Sequence, residues 1–216
     1  MSSGWAIRVG LLMPVAFLVA LALPRFNTGF LLEKSFPATD FIQTDVPLPT
    51  TTYRGVARLL AGASGNDSET ALLQAEAALN AGIPPAEVLP KVEDALSRSP
   101  SAARGWIILA SLWTDSDSRK AAQALAFAVD LAPREYYLIL PRLLVGAPLW
   151  RDLPDRARGK LLSDARTLAG DQTRRGQLRL LLARRGGAEL LVRAFADRPE
   201  ALRELNRDLA RDRLGL

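Results

Sequence analysis

Apolar and polar positions divide this chain into three regimes. Val9 to Leu23 is a continuous apolar run of 15 residues containing Pro14. Residues 25–52 lose that continuity. Phe36-Pro37, Val46-Pro47 and Leu48-Pro49 punctuate a Thr- and Asp-bearing stretch, and a residue that precedes Pro is driven to extended backbone. From Glu69 onward, apolar residues recur at helical spacing between clusters of turn formers.

The periodic part predicts a series of helices. A short one covers Tyr53–Leu60, and Gly62 to Ser68 is a loop. Ser68 serves as N-cap with Glu69 in the first turn, and Leu72, Leu73, Ala77 and Leu79 carry that helix to Asn80. After Gly82-Ile83-Pro84, a helix opens at Pro85 or Ala86 with Val88, Leu89, Val92, Ala95 and Leu96 on one side. Pro90 falls inside its first turn, where a missing N–H is tolerated. Ser99-Pro100 closes it. Helices follow from about Ser101 to Trp113 and from Ser118 to Leu131, the second stopped by Pro133. Further ones are expected at Glu135–Val145, Asp155–Leu168, Gln172–Arg184, Ala188–Ala196 and Pro199–Arg213, the last burying Leu202, Leu205 and Leu209.

Within this series, Trp106, Leu109, Ala110 and Trp113 lie on one helix, and Ala121, Leu125, Ala128 and Pro133 on and after the next. In type and spacing the segment 101–133 resembles a tetratricopeptide repeat. In that pattern small residues let two helices approach closely while large ones fill the groove to the next pair. Shifted back by one repeat, Val88, Val92, Ala95 and Pro100 match the second helix, and Leu73 and Ala77 part of the first. Glu76 and Asn80 stand where the pattern places an apolar residue and an aromatic. The resemblance implies an all-α superhelix of about four to five helix pairs. It also implies a scaffold that offers a concave surface to a protein partner, and it carries no catalytic residues. The eight matching side chains are packing positions, so no ligand contact is implied by them.

The apolar run decides where such a body sits. Extended back to Trp5 it reaches 19 residues and includes Arg8, close to the roughly 20 needed to span a bilayer. Arg8 can snorkel, and Trp5 suits the interface. Two fates fit: an uncleaved signal anchor, or a signal peptide cleaved near the small-x-small Ala20-Leu21-Ala22. The anchor is taken as the expectation. It gives three parts: residues 1–24 as transmembrane anchor (or signal peptide), 25–67 as a Pro/Thr-rich linker with a short helix, and 68–216 as the helical domain. Arg8 and the terminal amine favour a cytoplasmic N-terminus, although Arg25 and Lys34 on the far flank oppose it. The body is then periplasmic, tethered to a bacterial inner membrane by one pass.

Composition sharpens this. The chain has 49% hydrophobic and only 6% aromatic residues, in keeping with a Leu/Ala helical core. It contains neither Cys nor His. Disulfides, thiolate metal sites and a Cys nucleophile are excluded, and the commonest general base and metal ligand are missing. No cofactor or metal is expected, nor an enzyme. Asp115-x-Asp117 resembles the start of a calcium loop but lacks the later ligands and the central Gly, so it reads as turn and cap. Gly186-Gly187 follows no strand and no phosphate-loop pattern, so it reads as a helix end and turn. Ala147-Pro148 to Asp152 reads as a loop with a packed Trp150.

The net charge of +5 is uneven: residues 1–133 carry 10 basic and 12 acidic side chains, residues 134–216 carry 18 and 11. Arg174, Arg175, Arg179, Arg184 and Arg185 are the densest cluster, a candidate face for an anionic partner if they are not simply a solvated surface. The expected function is a membrane-anchored scaffold for protein–protein interaction in an envelope assembly, with surface polysaccharide biosynthesis or export as the leading setting. The alternative is a module that binds an anionic polysaccharide or lipid through the Arg-rich helices. The expected partners are envelope proteins and the bilayer through residues 5–23, not nucleic acid.

Overall fold

A computed structural model describes residues 49–61 and 67–214, with side chains up to Leu209. The apolar run 9–23, the proposed anchor and most of the spacer lie outside the described residues, as does most of the loop that follows Gly62. Among the described residues no helix is long and apolar enough to cross a membrane.

The described chain is all-α. Its helices are α1 (Thr50–Ala61), α2 (Ser68–Asn80), α3 (Pro85–Arg98), α4 (Ala103–Trp113), α5 (Ser118–Leu131), α6 (Ile139–Gly146), α7 (Asp155–Gly170), α8 (Leu178–Leu182), α9 (Gly187–Ala194) and α10 (Pro199–Leu214). Single 3-10 turns lead into α6 and α8 at Tyr136–Leu138 and Arg175–Gln177.

Local chemistry explains most boundaries. Asp67, not the expected Ser68, caps α2: its carboxylate accepts from the Thr70 amide at 2.8 Å. Both residues are good caps, and the charged acceptor makes the stronger bond to an orphan amide. Asp117 does the same for α5, accepting from the Lys120 amide at 3.0 Å. Pro85 opens α3, which places Pro90 in the second turn rather than the first. The bond lost there is to the carbonyl of Ala86, and both residues are exposed, so water can serve that carbonyl.

Residues 172–184 are not one helix, contrary to the expectation. Asp171 ends α7 and accepts from the amides of Thr173 at 2.9 Å and Arg174 at 3.3 Å. This side-chain turn competes with helix. The chain resumes as a 3-10 turn through Gly176 and then the short α8.

The core has two parts. Tyr53, Val56, Ala57 and Leu60 of α1 join α2, α3 and part of α4 in one cluster. The other runs from α4 to α10, and Trp106 and Trp113 pack against both. The packed body therefore takes in α1. From α1 to α7 each helix packs on the next. In addition α2 meets α4, α4 meets α6, α5 meets α7, α6 meets α8 and α7 meets α9. Contacts thus reach the next helix throughout α1 to α7 and, at several steps, the one after it.

Candidate functional site

The residues that carry the repeat resemblance are where tight packing needs them. Leu109, Ala110, Ala121, Leu125 and Ala128 are all buried. Trp106 and Trp113 are half-buried between the two core clusters. The Trp106 indole N–H donates to the Pro100 carbonyl at 2.8 Å, and its ring meets Phe127 edge-on, centroids 4.8 Å apart. Pro133 sits in the exposed turn after α5. These side chains pack the helix pairs together.

Helix α4 packs on both α2 and α6. Glu76 of α2, out of place for an apolar position, accepts from Arg104 Nε of α4 at 2.7 Å. Burial raises the carboxyl's pKa and Arg104 opposes the rise. Tyr137, which precedes α6, is 44% exposed. Its hydroxyl is shifted upward by partial burial and by Glu135, against the pull of Arg104. Ser111 follows Arg104 by two helical turns, so it shares that side of α4.

Beside Ser111 is a cavity of about 230 Å³, lined by Ser111, Thr114, Asp115, Leu144, Val145, Pro148, Arg184 and Arg185. The turn after α8 delivers its two arginines, and glycines make that turn. Gly186 has φ +79°, and a Cβ there would stand 2.4 Å from the Ala147 carbonyl oxygen. A Cβ on Gly187 would stand 1.8 Å from the Leu181 oxygen. Hydrogen at Gly186 lets this turn seat against the backbone at Ala147-Pro148, and hydrogen at Gly187 lets it pass the Leu181 carbonyl. The Gly pair is a turn, as expected, but it opens a helix rather than ending one: Gly186 is the N-cap of α9 and Gly187 its first residue.

The five clustered arginines do not form one face. Arg174 is half-buried with its guanidinium 5.0 Å over the Tyr136 ring. Arg175 pairs with Asp208 at 2.8 Å. Arg179 is half-buried, and its Nε and Nη2 are shielded from solvent. Arg184 and Arg185 alone of the five are exposed.

Two polar constellations escaped the sequence reading. Arg142 and Asp164 are fully buried and paired at 2.8 Å. Arg142 also donates to the Ala132 carbonyl at 2.8 Å, serving the end of α5, and Lys160 pairs with the other oxygen of Asp164. Arg and Asp spaced 22 residues apart give no local signal. The second is Tyr136, whose hydroxyl donates to Asp171. That bond, with those from Thr173, lowers Asp171 to about 2. Burial, then Asp171, lifts Tyr136 to about 12. A Tyr before one helix and an Asp after another offered no cue beyond the cap chemistry of Asp171. Both constellations join elements: α5 through α6 to α7, and the 3-10 turn before α6 to the end of α7.

Among the described residues no group of three or more acidic side chains is placed to hold a metal ion. No known protein-family model, no curated protein and no solved structure matches this chain.

Proposed function

We propose that the chain is a membrane-tethered helical scaffold that presents the face of α2, α4 and α6 to a protein partner in a bacterial envelope assembly. The observation that carries this reading is the packing of α4 on both α2 and α6. It sets Arg104, Ser111, Thr114 and the exposed Tyr137 on neighbouring elements. A mixture of polar groups and an exposed aromatic suits protein recognition. The tetratricopeptide-like packing of residues 101–133 supports the same assignment, because that family uses stacked pairs as binding platforms. The apolar stretch 5–23, with Arg8 and Trp5 at its start, supports a single-pass anchor with the body on the periplasmic side. Surface polysaccharide synthesis or export is the setting we favour.

The test is quantitative recovery of partners from crosslinked membranes of cells that carry the full chain or its S111R/Y137D variant. Both sites are exposed, and an unchanged helical signal is required of the variant before its partners are compared. A partner set lost by the variant supports the reading, and an unchanged set rejects it. Unaltered capsule or exopolysaccharide output in a deletion strain rejects the polysaccharide setting alone.

A further inference from the structure

We infer that the cavity between the α4–α5 turn, α6 and the Arg184-Arg185 turn binds one carboxylated sugar ring, such as a hexuronate, within an acidic glycan. Three properties of its lining lead there. Arg184 and Arg185 make no ion pair among the described residues and are exposed at its rim. Guanidinium groups bind carboxylates through paired, charge-assisted hydrogen bonds. Asp115 lines the same space with Ser111 and Thr114. A carboxylate accepts hydrogen bonds only, so it repels a bare phosphate and welcomes a ligand that also brings hydroxyl donors. Leu144, Val145 and Pro148 complete an aliphatic wall suited to the C–H face of a sugar ring.

Size points the same way. At about 230 Å³ the cavity is below the roughly 300–1,000 Å³ of sites that enclose a whole drug-sized ligand. It suits one ring whose neighbours remain in solvent. Gly186 seats the backbone of this turn against the Ala147 carbonyl and Gly187 seats it against Leu181, which fixes where Arg184 and Arg185 leave the chain, while their exposed side chains are ordered on binding. This inference stands on the lining alone and does not require a protein partner on the α2–α4–α6 face.

The test is calorimetric titration of the full chain in detergent micelles with trigalacturonate, with maltotriose, inorganic phosphate and a Glu-rich peptide as alternatives. Trigalacturonate is expected to bind at least about ten-fold more tightly than any of the three, the scale of losing a hydrogen bond to a charged group. R184A/R185A should weaken it by at least that factor with the helical signal unchanged. D115N should raise the affinity for phosphate relative to that for trigalacturonate. Equal affinity for maltotriose, phosphate or the peptide overturns the proposal, as does trigalacturonate binding that survives R184A/R185A. Partner recovery by R184A/R185A, measured on the same membranes, reports on the scaffold reading separately.

Discussion

Arg142 Nε donates to Asp164 Oδ2 at 2.8 Å with both side chains wholly out of solvent. The pair joins α6 to α7, and the second bond of Arg142, to the Ala132 carbonyl, brings in the end of α5. Three successive helices are thus tied at one buried point. Removing one partner strands a charge in the core. Asp164→Ala is expected to cost about 3–5 kcal/mol in denaturant unfolding, whereas R142M/D164L should recover most of it. A loss below 1 kcal/mol for D164A would show that water reaches the site.

Glu76 and Arg104 form a less buried version of the same device between α2 and α4. Arg104→Ala should cost about 1–3 kcal/mol by leaving a shielded carboxylate without its donor. Because burial raises the pKa of Glu76, the native state holds a proton longer than the unfolded chain. Its contribution is therefore present at low pH and falls as pH rises through the folded value. Glu76→Gln should flatten that fall in thermal midpoints measured upward from pH 4.

Tyr136 and Asp171 act at opposite ends of the pH scale. Asp171 is lowered from 3.8 to about 2, so its contribution is present above pH 4 and lost as pH falls toward 2. Tyr136 is raised from 10.0 to about 12, so its contribution is complete below pH 10 and lost on the way to 12. Tyr136→Phe removes the first cause of the Asp171 shift. Midpoints recorded from pH 2 to 12 should show shallower acid and alkaline limbs in the variant, its deficit against the native chain being greatest between pH 5 and 9.

Glycines separate turn geometry from helix propensity. Gly187→Ala places a Cβ against backbone at Leu181 and should cost about 1–3 kcal/mol, displacing Arg184 and Arg185. Gly159 is exposed within α7 and has open space around it. Gly159→Ala should stabilise by about 0.4–1 kcal/mol. Thermal midpoints of the two variants should move in opposite directions.

What could be read from the sequence follows the range of the interactions. Short-range signals placed α2, α3 and α5 nearly to the residue, because Ser68, Pro85, Ser99, Ser118 and Pro133 lie within one turn of their ends, although Asp67 takes the capping role expected of Ser68. The small residues Ala110, Ala121 and Ala128 marked the close approach of α4 and α5 for the same reason. The failures need a competing or distant partner. Leucines at 178–182 suggested a helix from Gln172, but the Asp171 side-chain turn and Gly176 take that backbone first. Leu182 is then left 40% exposed. The basic cluster suggested one face, yet Tyr136 and Asp208, remote in sequence, engage Arg174 and Arg175. The cavity was equally hidden, since its lining comes from three separated segments.

The central claim is that the face shared by α2, α4 and α6 is where the chain meets its partner. Site-specific photocrosslinking in intact cells tests it most directly, with the probe at Ser111 or Tyr137 on that face and at exposed Gln123 on α5 as the comparison. Discrete adducts to the same protein are expected from Ser111 and Tyr137, and none from Gln123. Adducts from Gln123 with none from the other two would contradict it.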